Sequence, residues 1–145
     1  MTQICLWHNM FGGTQRYSTA PAGLKIYPHG VGDQRRRPRQ STHLPSWPDE
    51  REVGVCLDFL KRCRPTKTAR VHSYGLKHRI EAWSRAMGSN YRGSGYWYIS
   101  NGATIEAARR LGLVLLVAVD DPWNPNAVIG VSRQSVEALM TAVGV

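Results

Sequence analysis

The chain has 145 residues, 42% of them hydrophobic and five of them tryptophan. This composition excludes a disordered polyelectrolyte, and the length allows one domain with a hydrophobic core but not two ordinary ones. Lysine and arginine number 19 against 10 acidic residues, a net charge of +9 that favours a polyanionic partner, with nucleic acid first.

Residues 1–45 have scattered glycines and prolines and poor periodicity, which predicts an irregular, basic N-terminal arm. Within it, Leu24 to Tyr27 fits a short strand. The arm also carries the arginine cluster Arg35, Arg36 and Arg37. Such a cluster is either a solvated tail or a phosphate-binding arm, and we include these arginines among the candidate nucleic-acid-binding residues.

Residues 46–145 are predicted to form one α+β domain, dominated by about four helices, with a small antiparallel sheet. The first helix is expected to begin at Ser46, because Asp49 three residues later completes a capping box. Pro48 suits the first turn of that helix. The second helix is expected to run from its cap Ser73 to about Met87, with a basic outer face.

The third helix is capped by Ser100 or Asn101 and precedes a strand-like apolar run from Leu113 to Val119. Ala127 to Val131 can return as the second strand of a hairpin. Ser132 is then the expected cap of the last helix.

Two stretches resemble parts of a helix-turn-helix: Thr104 to Leu113 resembles its first helix, and Val131 to Met140 its recognition helix. The strand-like residues between them are too many for the short turn of that motif. The stretches therefore either rebuild the motif in space or share only its capping and alanine pattern.

No CxxC spacing, metal motif or cofactor motif is apparent, so we expect free thiols, no metal and no cofactor. Cys56 and Cys63 lie about two turns apart on one expected helix, too far for a single zinc ion. The longest apolar run is far shorter than the roughly 20 residues that span a bilayer. We expect a cytoplasmic protein without a membrane partner.

Positive charge is concentrated from Leu60 to Arg92, where Glu81 is the single acidic residue. Lysine and arginine neutralise phosphates, and aromatic rings stack on unpaired bases. The candidate nucleic-acid-binding residues of this region are Lys61, Arg62, Arg64, Lys67, Arg70, Lys77, Arg79, Tyr91, Arg92 and Tyr96. The alternative is a solvated helix face beside a loop whose aromatic side chains lie in the core.

Four short stretches, taken in order, resemble small uncharacterised proteins of bacteriophages and other bacterial mobile elements. They are PTKT (Pro65 to Thr68), SYGLKH (Ser73 to His78), YISNG (Tyr98 to Gly102) and PNA (Pro125 to Ala127). The resemblance covers about residues 55–131. It implies a bacterial or phage context and transfers no activity or site.

Three functional hypotheses follow. The first is a non-enzymatic nucleic-acid-binding protein, with DNA favoured. The second is a phage-encoded inhibitor or adaptor that docks on an acidic face of a host protein. The third is a small metal-independent nuclease, because the cluster of His72, Tyr74, Lys77, His78 and Glu81 offers a general acid, a general base and a phosphate clamp. His78 and Glu81 are three residues apart on a helix and can share a face.

Overall fold

The computed structural model describes residues 4–8, 14–32, 48–88, 98–119, 121 and 124–145. Within these ranges the helices are α1 (Glu50–Lys61), α2 (Ser73–Met87), α3 (Asn101–Arg110) and α4 (Arg133–Ala142). The strands are β1 (Ile4–His8), β2 (Thr14–Thr19), β3 (Ile26–Tyr27), β4 (Gly30–Val31), β5 (Val71–His72), β6 (Leu115–Ala118) and β7 (Ala127–Ile129). The expected α+β fold with about four helices and a small antiparallel sheet is confirmed.

Five of the strands form one sheet in the order β1-β2-β6-β7-β5, in which every neighbouring pair is antiparallel. The expected hairpin is its centre, with Leu116 of β6 opposite Val128 of β7. Strands β3 and β4 pair separately. The chain therefore joins its N-terminal strands to one edge of the sheet and β5 to the other edge.

The N-terminal region is not an irregular arm where the structure describes it. Strand β2 pairs with β6, and Tyr17, Ile26 and Tyr27 are at most 5% exposed. The described part of residues 1–45 therefore belongs to the same domain as the helices. The arginine cluster of that region lies outside the described residues.

Side-chain caps set the starts of three helices. Asp49 caps α1 by accepting a hydrogen bond from Arg51 N at 2.8 Å, so this helix begins later than the expected start at Ser46. Ser100 caps α3 by accepting from Ala103 N, and Ser132 caps α4 by accepting from Ser135 N. These last two caps agree with the sequence-based expectation.

The main core lies where α1, α2 and α3 pack together against the sheet. Phe59 of α1 and Trp83 of α2 meet edge to face at 5.3 Å between ring centroids, and both are buried. The alternation of β6 places Leu115 and Leu116 in different apolar clusters, one on each face of the sheet.

Helices α3 and α4 do not form a helix-turn-helix in the described chain, because β6 and β7 stand between them in sequence and α3 packs on α1 and α2. Helix α4 packs on α2. Among the described helices, none has both the length and the apolar character that crossing a bilayer requires.

Candidate nucleic-acid interface

An open groove runs between α2 and α4 and continues to the loop of residues 66–70. It consists of two adjoining depressions of about 410 and 520 Å³, and Arg70 and Arg133 line both of them. We call it the basic groove. Its charged side chains are Lys67, Arg70, Arg79, Arg133 and Glu137, with His72 beside them.

The charges of the basic groove are only partly compensated. Its one carboxylate, that of Glu137, pairs with the Arg79 guanidinium. Arg70 and Arg133 are exposed and make no ion pair with any described residue, and Arg133 donates to the Arg70 carbonyl at 2.9 Å. The groove therefore presents a net positive surface to solvent.

The N-terminus of α4 adds to this positive field. No acidic residue lies in its first turn, although a helix start carries partial positive charge and normally favours carboxylates there. Arg133 occupies the first position, and Arg64 Nη2 donates to the cap Ser132 Oγ at 3.1 Å. Two cations at a positive helix end oppose folding slightly and favour an anion.

Backbone contacts hold the 66–70 loop beside α4. Thr66 N donates to Gly130 O at 3.0 Å, and Ser132 N donates to Arg64 O at 2.8 Å. A Cβ at Gly130 would lie 2.6 Å from Thr66 O, so this close approach requires glycine. The walls of the groove are thus fixed by the fold rather than by side-chain packing alone.

The structure brings part of the predicted set together. Lys67, Arg70 and Arg79 line the basic groove, and Arg64 lies at its end. Arg133 is a groove residue that the sequence-based set lacks. The sequence did contain a signal for Arg133. A basic residue directly after a helix cap, here Ser132, is unusual, because that position favours acidic residues.

Lys61 and Arg62 lie at the end of α1 and line neither depression of the groove. Arg62 pairs with Asp58 at 3.2 Å, and its guanidinium lies over the Trp83 ring, 5.7 Å from the centroid. Arg62 therefore covers the core while its charge is compensated by a neighbour on the same helix.

Lys77 does not belong to the exposed basic surface, contrary to expectation. It is only 6% exposed, and its Nζ donates to Glu81 Oε1 at 2.9 Å and to Ile99 O at 3.1 Å. Burial raises the pKa of Glu81, but the hydrogen bonds from Ile99 N and Lys77 and the charge of Lys77 outweigh it, so that the net shift is downward. Lys77 is thus half of a buried ion pair that joins α2 to the start of α3.

The other candidates from the sequence lie outside the described residues. They are Arg35, Arg36, Arg37, Tyr91, Arg92 and Tyr96. Their part in binding stays a prediction.

A second concave site lies on the other side of α2 from the basic groove. Tyr74 lines this cleft of about 370 Å³, whereas the next residue, Gly75, lines the groove. We call it the tyrosine cleft. Its lining includes His29, Tyr74, Lys77, Tyr98, Asn101 and Asn126.

The stretches that resemble phage proteins meet at these two sites. Tyr74 and Lys77 of SYGLKH, Tyr98 and Asn101 of YISNG, and Asn126 of PNA all line the tyrosine cleft. The remaining stretch, PTKT, contributes to the basic groove. Segments that are distant in sequence therefore form two surfaces, one on each side of α2.

Asn101 ties together the loops beneath the tyrosine cleft. Its Nδ2 lies 3.1 Å from both His29 O and Pro125 O and 3.0 Å from Asn126 Oδ1. At the next residue, a Cβ on Gly102 would lie 1.7 Å from a backbone oxygen of the β3–β4 turn. The floor of the cleft is therefore tightly packed and allows little movement.

Four of the five residues of the nuclease hypothesis, Tyr74, Lys77, His78 and Glu81, form one group, and His72 lies apart from them. His78 Nδ1 and Glu81 Oε2 are 3.3 Å apart, and the Tyr74 ring meets the His78 ring edge to face at 4.7 Å. His72 lies instead in the basic groove, where burial lowers its pKa. The structure thus provides a histidine oriented by a carboxylate but separates it from His72.

Cys56 and Cys63 are buried thiols. Cys56 Sγ lies 3.7 Å from Thr104 Oγ1, and Cys63 Sγ lies 3.6 Å from Phe59 O. Burial raises the pKa of the Cys63 thiol to about 11. Across the described ranges, no three histidine, cysteine or acidic side chains converge in a way that could hold a metal ion.

Comparison of the chain with protein-family models, with curated proteins and with solved structures found no match. The resemblance to bacteriophage and mobile-element proteins stays a prediction.

Proposed function

We propose that the protein is a non-enzymatic nucleic-acid-binding protein that holds a phosphate backbone in the basic groove. The observation that carries the proposal is the set of exposed cations around the start of α4, where Arg70 and Arg133 have no ion pair among the described residues. DNA is the favoured ligand. A cytoplasmic location in a bacterial host, and an origin in a phage or mobile element, are parts of the same proposal.

Phosphate binding in such a groove is driven by release of counterions, so affinity should fall steeply with salt. The groove has four basic side chains, one of which is already paired with Glu137. We expect a slope between about −2 and −4 in a plot of log affinity against log salt.

The test is fluorescence anisotropy with labelled single-stranded DNA, duplex DNA and RNA, titrated between about 50 and 200 mM salt. Arg70→Ala should weaken binding about threefold to tenfold and reduce the salt slope by about one. Arg85→Ala is the matched control, because Arg85 is an exposed α2 residue that lines neither depression of the groove.

Two outcomes would contradict the proposal. One is the absence of detectable binding to all three polymers at the lowest salt. The other is an equal loss of affinity in Arg70→Ala and Arg85→Ala, which would show that net charge matters and the groove does not.

The second candidate function is a small metal-independent nuclease. The observation that favours it is the contact between His78 and Glu81 beside the tyrosine cleft, since a carboxylate that orients a histidine is typical of a general base. His78→Ala should then abolish cleavage of an oligonucleotide and leave its binding unchanged. Full activity in that variant would exclude His78 as the base.

A further inference from the structure

We infer that the tyrosine cleft holds one unstacked nucleobase. The inference rests on the proposed function in one respect, because the strand that supplies the base is the one whose phosphates lie in the basic groove. Tyr74 and Tyr98 are 52% and 46% exposed, which is unusual for such large rings in a packed domain. Exposed rings at the mouth of a cleft provide the faces on which bases stack.

The two tyrosine rings are held in place by one buried cation. Lys77 Nζ lies 5.6 Å from the Tyr74 ring centroid and 4.8 Å from that of Tyr98, over both rings. Glu81 and the Ile99 carbonyl fix the ammonium in turn. The aromatic surface is therefore organised before a ligand arrives, which lowers the entropic cost of binding.

The polar groups of the cleft suit a heterocycle with carbonyl oxygens. Asn126 Oδ1 accepts from Asn101 Nδ2, whereas Asn126 Nδ2 makes no hydrogen bond to a described residue. The Lys77 ammonium has three N–H groups, of which Glu81 and Ile99 take two. The Asn126 side-chain amide and the third N–H of Lys77 are both hydrogen-bond donors. The carbonyl oxygens of thymine, uracil, cytosine and guanine are acceptors.

The charge balance of the cleft argues against a phosphate as its occupant. Lys77 is already neutralised by Glu81, whose carboxylate lies 2.9 Å away. The neighbouring basic groove has the uncompensated cations that a phosphate would select. A strand can therefore place its backbone in the groove and turn one base into the cleft.

The first turn of α2 lies between the two sites and offers no repulsion to a strand that crosses it. This turn contains no acidic residue, and its cap His72 makes no side-chain capping bond. Tyr74 and Lys77 lie on the opposite side of α2 from Gly75 and Arg79, so a strand that joins the two sites crosses the N-terminal end of the helix, a width of roughly 10–12 Å.

The test compares a labelled oligothymidylate with an oligomer of the same length whose sugars lack bases. Stacking of one base should make the oligothymidylate bind about 5- to 100-fold more tightly. Tyr74→Ala and Tyr98→Ala should abolish this ratio, whereas Arg70→Ala should weaken both oligomers equally and preserve it. Tyr98→Phe should keep the ratio, and Val119→Ala, which removes exposed apolar surface elsewhere, should not change it.

A thermal unfolding curve of each variant tests whether it is folded, and we expect the half-exposed Tyr74 and Tyr98 to tolerate truncation. Equal affinity for the two oligomers, or a ratio that survives both alanine variants, overturns the inference while leaving the basic groove intact. If neither oligomer binds, the protein does not hold a single strand in the groove, and the titrations with duplex DNA and RNA test the proposed function separately.

Thymidine 5′-monophosphate alone then decides whether the source of the base is a free nucleotide. Its titration should shift the side-chain amide signal of Asn126 in the nuclear magnetic resonance spectrum, in a saturable manner that Tyr98→Ala removes. Such a shift would show that the cleft binds a free nucleotide. If neither oligomer binds and millimolar nucleotide causes no shift, the inference is overturned.

Discussion

The basic groove and the tyrosine cleft lie on opposite sides of α2, and they differ in whether their positive charges are exposed or buried. In the groove, Arg70 and Arg133 are exposed and without ion pairs among the described residues. Beneath the cleft, Lys77 is buried against Glu81. Exposed charges add little to stability, whereas breaking a buried pair is costly. Stability and binding should therefore respond to different substitutions.

The largest effect on stability is expected at Gly102, under the cleft. An alanine Cβ there would lie 1.7 Å from Tyr27 O, so the backbone must move and break the hydrogen bond from Gly102 N to Pro28 O. Gly102→Ala should lower the free energy of unfolding by roughly 3–5 kcal/mol in a urea titration.

Gly54→Ala is the control for Gly102→Ala. Gly54 lies in α1 with no atom within 4 Å of an added Cβ, so the alanine should stabilise the protein by about 0.5–1 kcal/mol. Equal stability of the two variants would show that the close contact at Gly102 does not exist.

A smaller loss is expected at Lys77. Lys77→Met leaves the mostly buried Glu81 carboxylate without its cation and should cost about 2–3 kcal/mol at pH 7. Arg79→Met breaks an exposed pair with Glu137 and should cost less than about 1 kcal/mol, while it weakens nucleic-acid binding. Chemical denaturation and anisotropy measured on both variants separate the two regions.

Because the pKa of Glu81 is lowered in the folded protein, the stability lost in Lys77→Met depends on pH. Because the folded-state pKa is lowered, Glu81 contributes stability above its ordinary value of 4.5, and this contribution is lost as the pH falls through the folded-state pKa. The difference between Lys77→Met and the original protein should therefore shrink in acid. A difference that stays constant to low pH would contradict the ion pair.

The smallest effect is expected at His72, in the groove. Burial lowers its pKa below the ordinary value of 6.5, so the unfolded chain binds a proton that the folded protein does not. Stability from this residue is present above pH 6.5 and decreases as the pH falls through that value. Between pH 7 and pH 5.5, the melting temperature of His72→Gln should fall less than that of the original protein. Equal decreases would exclude this role of His72.

Local chemistry made much of the helical structure predictable. The caps Ser100 and Ser132 act through hydrogen bonds to residues three positions away, and Gly88 and Gly112 follow their helices with φ values of +81° and +68°. The short strand expected at Leu24 to Tyr27 corresponds to β3, but β1 and β2 were missed because β2 is stabilised by pairing with β6, and a local pattern does not contain that partner.

The candidate site was predictable only as a region of charge. The sequence presents Lys77 and Lys67 as equivalent basic residues, but the fold buries the first and leaves the second exposed. It also brings Arg133, far along the chain, beside Arg70. Tertiary packing decides which side chains are buried and which distant segments come together. The spacing of charged residues along the sequence does not contain this information.

The pairing of β2 with β6 also fixes an order of events during synthesis. Ser18 lies opposite Val117, so β2 cannot pair with β6 until the long segment between the two strands has been synthesised. Contacts of such long sequence separation slow folding and leave strand edges exposed in the meantime. The β1–β2 hairpin should consequently stay open to proteases in nascent chains that end before β6.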